Sequence, residues 1–264
     1  MVRFQFELAT AADDAELRHV LATTPMPGTI SLAFRRDPSY FAAAVVEGTF
    51  RQTIVCRDLD ANRIVGFGAR AVREVYVNGV PTSVGYPSTL RGVDEYRNIG
   101  LLARGYRYLR DLHGDRRAEL YRTTIADGNE RAISLLTSGR AGLPRYHDAG
   151  RYHTVAIPLL KRPRRPGVDP SLTVRQATAA DLDCLLAFLR RVGPTRQMFP
   201  HFQANDFFTP CGTFRDLRPT DLLLAFRHGR LVGTLGGWDQ RAFRQAVVTG
   251  YHSLLRWTRP AING

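Results

Sequence analysis

The apolar positions of this chain change period along its length, and those changes predict its elements. Phe4, Phe6 and Leu8 alternate with polar residues, the two-residue period of a half-buried strand. Thr10 stands three residues before Asp13. At that spacing a threonine hydroxyl and a carboxylate can satisfy the free amides of a helix start. Leu17, Val20 and Leu21 supply the apolar face of the helix behind it. Asp37-Pro38 reads as an N-cap followed by proline at the first helical position, and Phe41, Ala44 and Val45 carry that helix to Gly48. Strands are expected over Gln52 to Arg57, Arg63 to Val77 and Val80 to Gly92. Asn78-Gly79 joins the last two, because a type I′ hairpin turn needs positive φ at both central residues. Leu101, Gly105, Tyr108 and Leu112 return to helical spacing, with the helix ending at His113 and Gly114 as its C′ residue. A strand over Glu119 to Ile125, a helix over Asn129 to Ser138 and a hairpin of Arg145 to His147 with Arg151 to Ile157 follow. The order is β-α-α-β-β-β-α-β-α-β-β.

The pattern then starts again. Ala9-Thr10-Ala11-Ala12-Asp13-Asp14 returns as Ala177-Thr178-Ala179-Ala180-Asp181-Leu182. Arg63-Ile64-Val65-Gly66 returns as Arg230-Leu231-Val232-Gly233, and Gly85-Tyr86-Pro87-Ser88-Thr89-Leu90-Arg91 as Gly250-Tyr251-His252-Ser253-Leu254-Leu255-Arg256. Three matches in one order at offsets of 168, 167 and 165 residues read as two copies of one fold. The expected division is a first domain over 1–160, a Pro/Arg linker over 161–170 and a partial second copy over 171–264. The fold class is α/β (α+β), a mixed, mostly antiparallel sheet flanked by helices. A copy that stops partway exposes a sheet edge and an apolar face, so it is expected to dock on the first domain or to form a homodimer.

Composition narrows the function. A hydrophobic content of 44% in 264 residues supports a real core. No apolar run approaches the ~20 residues that span a bilayer. The N-terminus lacks the apolar segment of a secretory signal, so a cytoplasmic location and no membrane partner are expected. The net charge is +13, almost all of it arginine, since Lys161 is the only lysine. It fits an anionic partner, such as nucleic acid, a membrane surface or a polyphosphate like coenzyme A, and it equally fits a solvated basic surface. The arginines are spread thinly and follow no helix-turn-helix or RNA-binding signature, which argues against nucleic acid. Cys56, Cys184 and Cys211 fit no zinc or disulfide spacing, and the histidines are scattered, so no metal is expected.

The segment that carries chemistry is Glu95-Tyr96-Arg97-Asn98-Ile99-Gly100-Leu101-Leu102-Ala103, between a strand end and a helix start. Free amides of a first helical turn, the helix dipole, an arginine and a glycine that lets backbone approach closely together make an anion site. A plain strand-to-helix turn needing Gly100 for its φ is the alternative. The segment resembles motif A of the GNAT-type N-acetyltransferases, Arg or Gln, two residues, Gly, one residue, then Gly or Ala. Arg97 and Gly100 match it, and Leu102 departs from its last position. Asn129 to Leu136, continuing to Gly142-Leu143, resembles the family's next motif.

The resemblance implies an acyl-CoA N-acyltransferase fold and transfer of an acetyl group from acetyl-CoA, as co-substrate, to a small-molecule or peptide amine. The diphosphate of the donor would rest on Arg97, Asn98, Ile99, Gly100, Leu101 and Leu102. The pantetheine arm would lie along Leu90, Arg91 and Gly92, in the V where the Val80–Gly92 strand leaves its neighbour, with Asn129 beside it. A base or relay must take the amine proton, with Glu74 the candidate, and a tyrosine must protonate the leaving thiolate, with Tyr146 and Tyr121 as nearby substitutes. The family's proton-donating tyrosine position is occupied by Leu136. A CoA-binding or regulatory module without turnover therefore stays open. The counterpart of the phosphate loop in the second copy is Arg256-Trp257-Thr258-Arg259-Pro260, where Pro260 has no amide hydrogen, and that copy is expected to bind no CoA.

Overall fold

The computed structural model describes residues 3–26, 28, 30–96, 99–139, 143–155, 169–210 and 212–251. The first half contains β1 (Phe4–Leu8), α1 (Asp14–Thr23), β2 (Ile30–Arg35), α2 (Tyr40–Ala44), β3 (Phe50–Asp58), β4 (Arg63–Val77), β5 (Val80–Gly92), α3 (Leu101–Leu112), β6 (Leu120–Tyr121) and α4 (Glu130–Leu136). The second half contains β7 (Leu172–Gln176), α5 (Leu182–Val192), β8 (Leu222–Arg227), β9 (Arg230–Gly236) and β10 (Gln245–Tyr251). They assemble a five-stranded sheet ordered β1-β3-β4-β5-β6, a three-stranded sheet β7-β8-β9 and a pair β10-β2. All pairings are antiparallel except β5 with β6. This is the mixed, mostly antiparallel sheet flanked by helices expected from the sequence.

The five-stranded sheet is covered on both faces. On one, Leu17, Val20 and Leu21 of α1 and Tyr40 of α2 pack on Val55, Ile64 and Phe67. On the other, α3 lies so close that the Phe6 ring abuts Gly105. Beneath it Arg70 is fully buried, and its two Nη atoms hold both Asp115 oxygens at 2.8 and 2.9 Å. Arg70 also donates to Gln52 Oε1 and to the Leu112 carbonyl. The Asn78-Gly79 turn has positive φ at both residues, 51° and 82°, as its hairpin requires.

Local details depart from the sequence reading. The N-cap of α2 is Ser39, not Asp37: its Oγ accepts from Ala42 N at 3.2 Å. Asp37 instead receives Arg18. Helix α3 runs into a 3₁₀ turn over His113–Asp115, and the left-handed residue is Arg116 rather than Gly114. β6 is shorter than Glu119 to Ile125. Residues 143–155 form no strand, so the expected hairpin is absent from the described residues. Gly142, residues 156–168, Cys211 and Arg256 to Pro260 lie outside the described residues, and with them most of the expected linker. β2 is an element the sequence did not announce. Its partner is β10, over two hundred residues away, so no local pattern marks it.

The two halves share local geometry. Thr10–Asp13 and Thr178–Asp181 both form capping boxes, with Thr10 at φ −113°, ψ 173° and Thr178 at φ −118°, ψ 169°. β1 pairs β3 from Phe4↔Asp58 to Leu8↔Ile54, and β7 pairs β8 from Leu172↔Arg227 to Gln176↔Leu223. Both hairpins shift register at the same place, after Cys56↔Gly66 and after Ala225↔Gly233. The second half has its own core, Leu185, Leu186 and Leu189 of α5 against Leu222, Leu224, Leu231 and a group of phenylalanines.

The second half docks on the first at two strands. β10, which the repeat aligns with β5, pairs with β2. The segment around Pro200 pairs with β4 beyond the end of β3: Tyr76 N donates to the Phe199 carbonyl and His201 N to that of Glu74. Both contacts join the two halves within one chain.

The Arg70–Asp115 pair gives a pH test. Hydrogen bonds from Arg70 hold the Asp115 carboxyl down at about 2, against an ordinary 3.8. A folded-state pKa below the unfolded one adds stability above the unfolded value, lost as pH falls through the folded one. In urea titrations Asp115→Asn should be clearly less stable than wild type at pH 7. The difference should shrink from pH 4 to pH 2. A gap independent of pH would count against the ion pair.

Candidate functional site

The site grows from the far end of β5. Along most of its length β5 pairs β4 residue for residue, Val77↔Val80 through Ala69↔Ser88. Phe67 then opposes Arg91, so Gly68 alone faces both Thr89 and Leu90. Two residues against one is a β-bulge, which leaves backbone groups unpaired and turns the strand. Thr89 sits there at φ +49°, a left-handed conformation that a β-branched residue adopts only under strain. Ser88 Oγ, Thr89 Oγ1 and Arg91 Nε are buried there with no hydrogen-bond partner among the described residues.

β6 leaves β5 before this point. Their pairing covers only Val84↔Leu120 and Gly85↔Tyr121. Arg122 N still donates to the Gly85 carbonyl, and Thr123 Oγ1 reaches the Pro87 carbonyl at 3.0 Å. Beyond Pro87, among the described residues, β5 has no strand on that edge. Gly85 permits the close pairing: a Cβ there would stand 2.3 Å from the Tyr121 ring. The sheet therefore opens into a V with the bulge on its inner edge.

The chain passes from β5 through a 3₁₀ turn at Asp94–Tyr96 into α3. Gly100 is the N-cap of α3, at φ +78°, with no side-chain cap. Glycine has no side chain, so the cap residue itself offers the first-turn amides of this twelve-residue helix no acceptor. A Cβ built at Gly100 meets no described atom within 4 Å. Leu102 is half-buried, and Ile99 is exposed. Arg97 and Asn98 lie outside the described residues. Asn129 caps α4, its Oδ1 accepting from Ala132 N at 3.2 Å.

The structure brings Leu90, Arg91 and Gly92 to the bulge and Gly100 to Leu102 to the helix start. Of the two catalytic candidates, Glu74 lies well back from the bulge. Glu74 pairs opposite Ser83, seven residues from Leu90, roughly 23 Å along the strand. It is engaged by His201 Nδ1 at 3.1 Å. The Tyr146 hydroxyl shares a 2.9 Å hydrogen bond with Tyr106 of α3, and burial followed by that bond raises the Tyr106 pKa. Tyr121 faces Arg70 and His113 on the α3 side of the sheet. Leu136 is buried. Spacing alone does not mark Ser88 or Thr89. The alternation of Gly66 and Gly68 on β4 is the one signal near them, since strand glycines mark bulges and close approach. Two surface depressions lie elsewhere. One of about 450 Å³ is lined by Cys184, Phe188, Arg191, His228 and Arg230, and another of about 300 Å³ lies beside Arg18 and Asp37. Among the described residues no cluster of His, Cys, Asp and Glu could hold a metal ion, and no helix is long and apolar enough to cross a membrane.

No family model and no curated protein matches the sequence. Solved structures are similar to it. An acetyltransferase from Trypanosoma brucei is 13% identical, with 58% of this chain and 99% of that one covered and a TM-score of 0.44. An aminoglycoside 6′-N-acetyltransferase from Acinetobacter baumannii is 12% identical over 59% of this chain and 99% of its own, TM-score 0.43. A glucosamine-6-phosphate N-acetyltransferase from Arabidopsis thaliana is 11% identical over 57% and 97%, TM-score 0.41.

The two glycines should respond differently. Gly85→Ala forces the Tyr121 ring to move and should cost about 1–3 kcal/mol in urea unfolding. Gly100→Ala meets no atom and should cost only its left-handed strain, about 1 kcal/mol. Equal costs would contradict the close packing that opens the V.

Proposed function

We propose that the chain is an acyl-CoA-dependent N-acyltransferase that moves an acetyl group from acetyl-CoA to an amine. The observation that carries this reading is the continuity of the bulge at Thr89–Leu90 with the uncapped start of α3. One stretch of backbone presents unpaired groups first along an open strand edge and then around a left-handed glycine. That sequence of donors suits a long ligand with an amide-bearing arm and a diphosphate.

The donor, when bound, supplies an activated acyl carbon on a good sulfur leaving group. The chain's own residues do the rest. Amides of Gly100 to Leu102 receive the diphosphate charge, and the helix dipole favours it. The freed backbone at Leu90 orients the arm and donates towards the carbonyl oxygen where negative charge gathers. The amine nitrogen forms its bond to the carbonyl carbon, the carbon–sulfur bond breaks, and the amine proton leaves. Positioning contributes much of the acceleration. Glu74 and Tyr146 are the groups proposed for the proton steps, and Glu74 lies opposite Ser83, well back along the strand from the bulge.

The remoteness of Glu74 from the bulge favours a second reading, a CoA-binding module without turnover. The two separate cleanly by experiment. Calorimetric titration should show saturable binding of acetyl-CoA, weakened at least about tenfold by Gly100→Asp, which sets a carboxylate against the diphosphate. Wild type without binding, or equal binding by both proteins, would end both readings. Thiol release with a panel of amines should exceed the amine-free rate. Binding without release from any amine leaves the module reading. Tyr146→Phe should lower release at least about tenfold if its hydroxyl handles a proton, and leave it unchanged if it only packs.

A further inference from the structure

Where the two halves meet, a group of charges is left unused by the chemistry above. Arg36 follows β2 and is 5% exposed. Its guanidinium lies 4.6 Å from the Tyr40 ring centroid, and its Nη2 donates to Glu47 Oε1 at 2.5 Å. Arg244, from the second half, donates to that same oxygen. Arg91 stands opposite Phe67, whose ring packs edge-on against Tyr40 at 5.6 Å. Three guanidinium groups therefore gather on the α2 side of the sheet, directly after the bulge. Among the described residues Glu47 is the carboxylate paired with them.

One carboxylate does not balance three cations. Arg36 Nη1, Arg91 Nε and Arg244 Nε are buried and, among the described residues, without a hydrogen-bond partner, and Ser88 Oγ and Thr89 Oγ1 are in the same state. Burial, then the nearby Arg36 cation, holds the Arg91 pKa below its ordinary value, and burial does the same to Arg244. Buried charge without a counter-charge is costly, so such a group is expected to have a partner. Guanidinium donors are planar and match carboxylate and phosphate oxygens two at a time.

We propose that Arg36, Arg91 and Arg244 form a receptor for an oxyanion, a carboxylate or phosphate carried by the acyl acceptor, and that the second half completes the receptor by supplying Arg244. That the anion belongs to an acceptor rests on the acyl-transfer reading. The receptor itself rests on the geometry. Arg244 is held in place from both sides. Phe243 before it is buried, and Gln245 after it exchanges hydrogen bonds with the main chain of Asp37, 3.1 Å each way. Pairing of β10 with β2 thus fixes the distance between Arg244 and Arg36.

The test uses the full chain and calorimetric titration with inorganic phosphate, with succinate and, separately, with acetyl-CoA. Wild type should bind phosphate or succinate saturably. The better of the two tells whether the acceptor carries a phosphate or a carboxylate. Arg244→Gln and Arg91→Gln should each weaken that binding on the order of tenfold, the loss of roughly one charge-assisted hydrogen bond. Arg244→Gln should keep acetyl-CoA affinity within about twofold. Should Arg244→Gln fail to fold by circular dichroism, Arg91→Gln carries the test, because among the described residues its side chain donates to the neighbouring Leu90 carbonyl and holds no second element in place. Absence of anion binding by wild type overturns the proposal, as does binding that both variants retain. An equal loss of acetyl-CoA affinity in Arg244→Gln also overturns it, since the arginines would then belong to the donor. Anion binding that depends on these arginines, in a protein that does not bind acetyl-CoA, upholds the receptor and removes the acyl-transfer reading instead.

Discussion

β5 passes from a strand paired on both edges to one with a free edge, and the candidate site depends on that passage. Near Gly85 it is held by β4 on one side and β6 on the other. A few residues later β6 has gone, and a bulge has broken step with β4. Backbone amides and carbonyls are obligatory hydrogen-bonding groups, and leaving them unpaired costs free energy unless water or a ligand takes them. The strain at Thr89 and the buried, unpartnered hydroxyls of Ser88 and Thr89 collect at the same spot. A fold that keeps such a place open does so against the tendency of sheets to close, and the surrounding packing must hold it. Phe67 behind the bulge, packed on Tyr40, performs that role.

The second half follows the same local code and reaches a different end. Capping box, strand register and bulge position agree with those of the first half. The difference begins after β9. In the first half a two-residue turn, Asn78-Gly79, joins β4 to β5 and leaves no choice of partner. In the second half residues 237–244 separate β9 from β10. Trp238 and Phe243 anchor that connection in aromatic packing, with Trp238 Nε1 bonded to the Arg215 carbonyl. A connection of that length lets β10 leave its own sheet and pair with β2.

Much of the fold is legible in the chain because its signals are local. β4 and β5 run over the residues that hydrophobic pattern and the Asn-Gly turn assign to them. Leu17, Val20 and Leu21 form the buried face of α1 for the helical period they show in sequence. Where the signal is a contest between near neighbours, the reading slips: Asp37 and Ser39 both precede a helix, and only packing against Asp14, whose Oδ1 accepts from Ser39 Oγ at 2.7 Å, decides for Ser39. Where the signal is a partner far along the chain, nothing local reports it. β2 is the instance in the fold. In the site, Gly100 could be read because a glycine before a helical period has few other uses, whereas Arg36 and Arg244 meet only through β2 and β10 and look like ordinary surface arginines in sequence.

That separation bears on what the second half contributes. A protein domain whose only task was to cover an apolar surface would place apolar or neutral groups at the seam, because a buried ion pair is generally no more stable than a well-packed hydrophobic contact. This seam instead carries Arg244 on Glu47, Arg215 on the carbonyl of Ala42, and Gln245 on the main chain of Asp37. Each of these contacts is directional and fixes one orientation of β10 against β2 and α2. The excess cation at Arg36 and Arg91 exists with or without the second half, and Arg244 makes it larger. Arg244 shares Glu47 with Arg36, so the third guanidinium leaves the group with more positive than negative charge, which a bound anion would offset. The electrostatics of the seam therefore point towards recognition of a charged ligand, with stability supplied elsewhere, by the aromatic core around Phe202, Phe207 and Phe214.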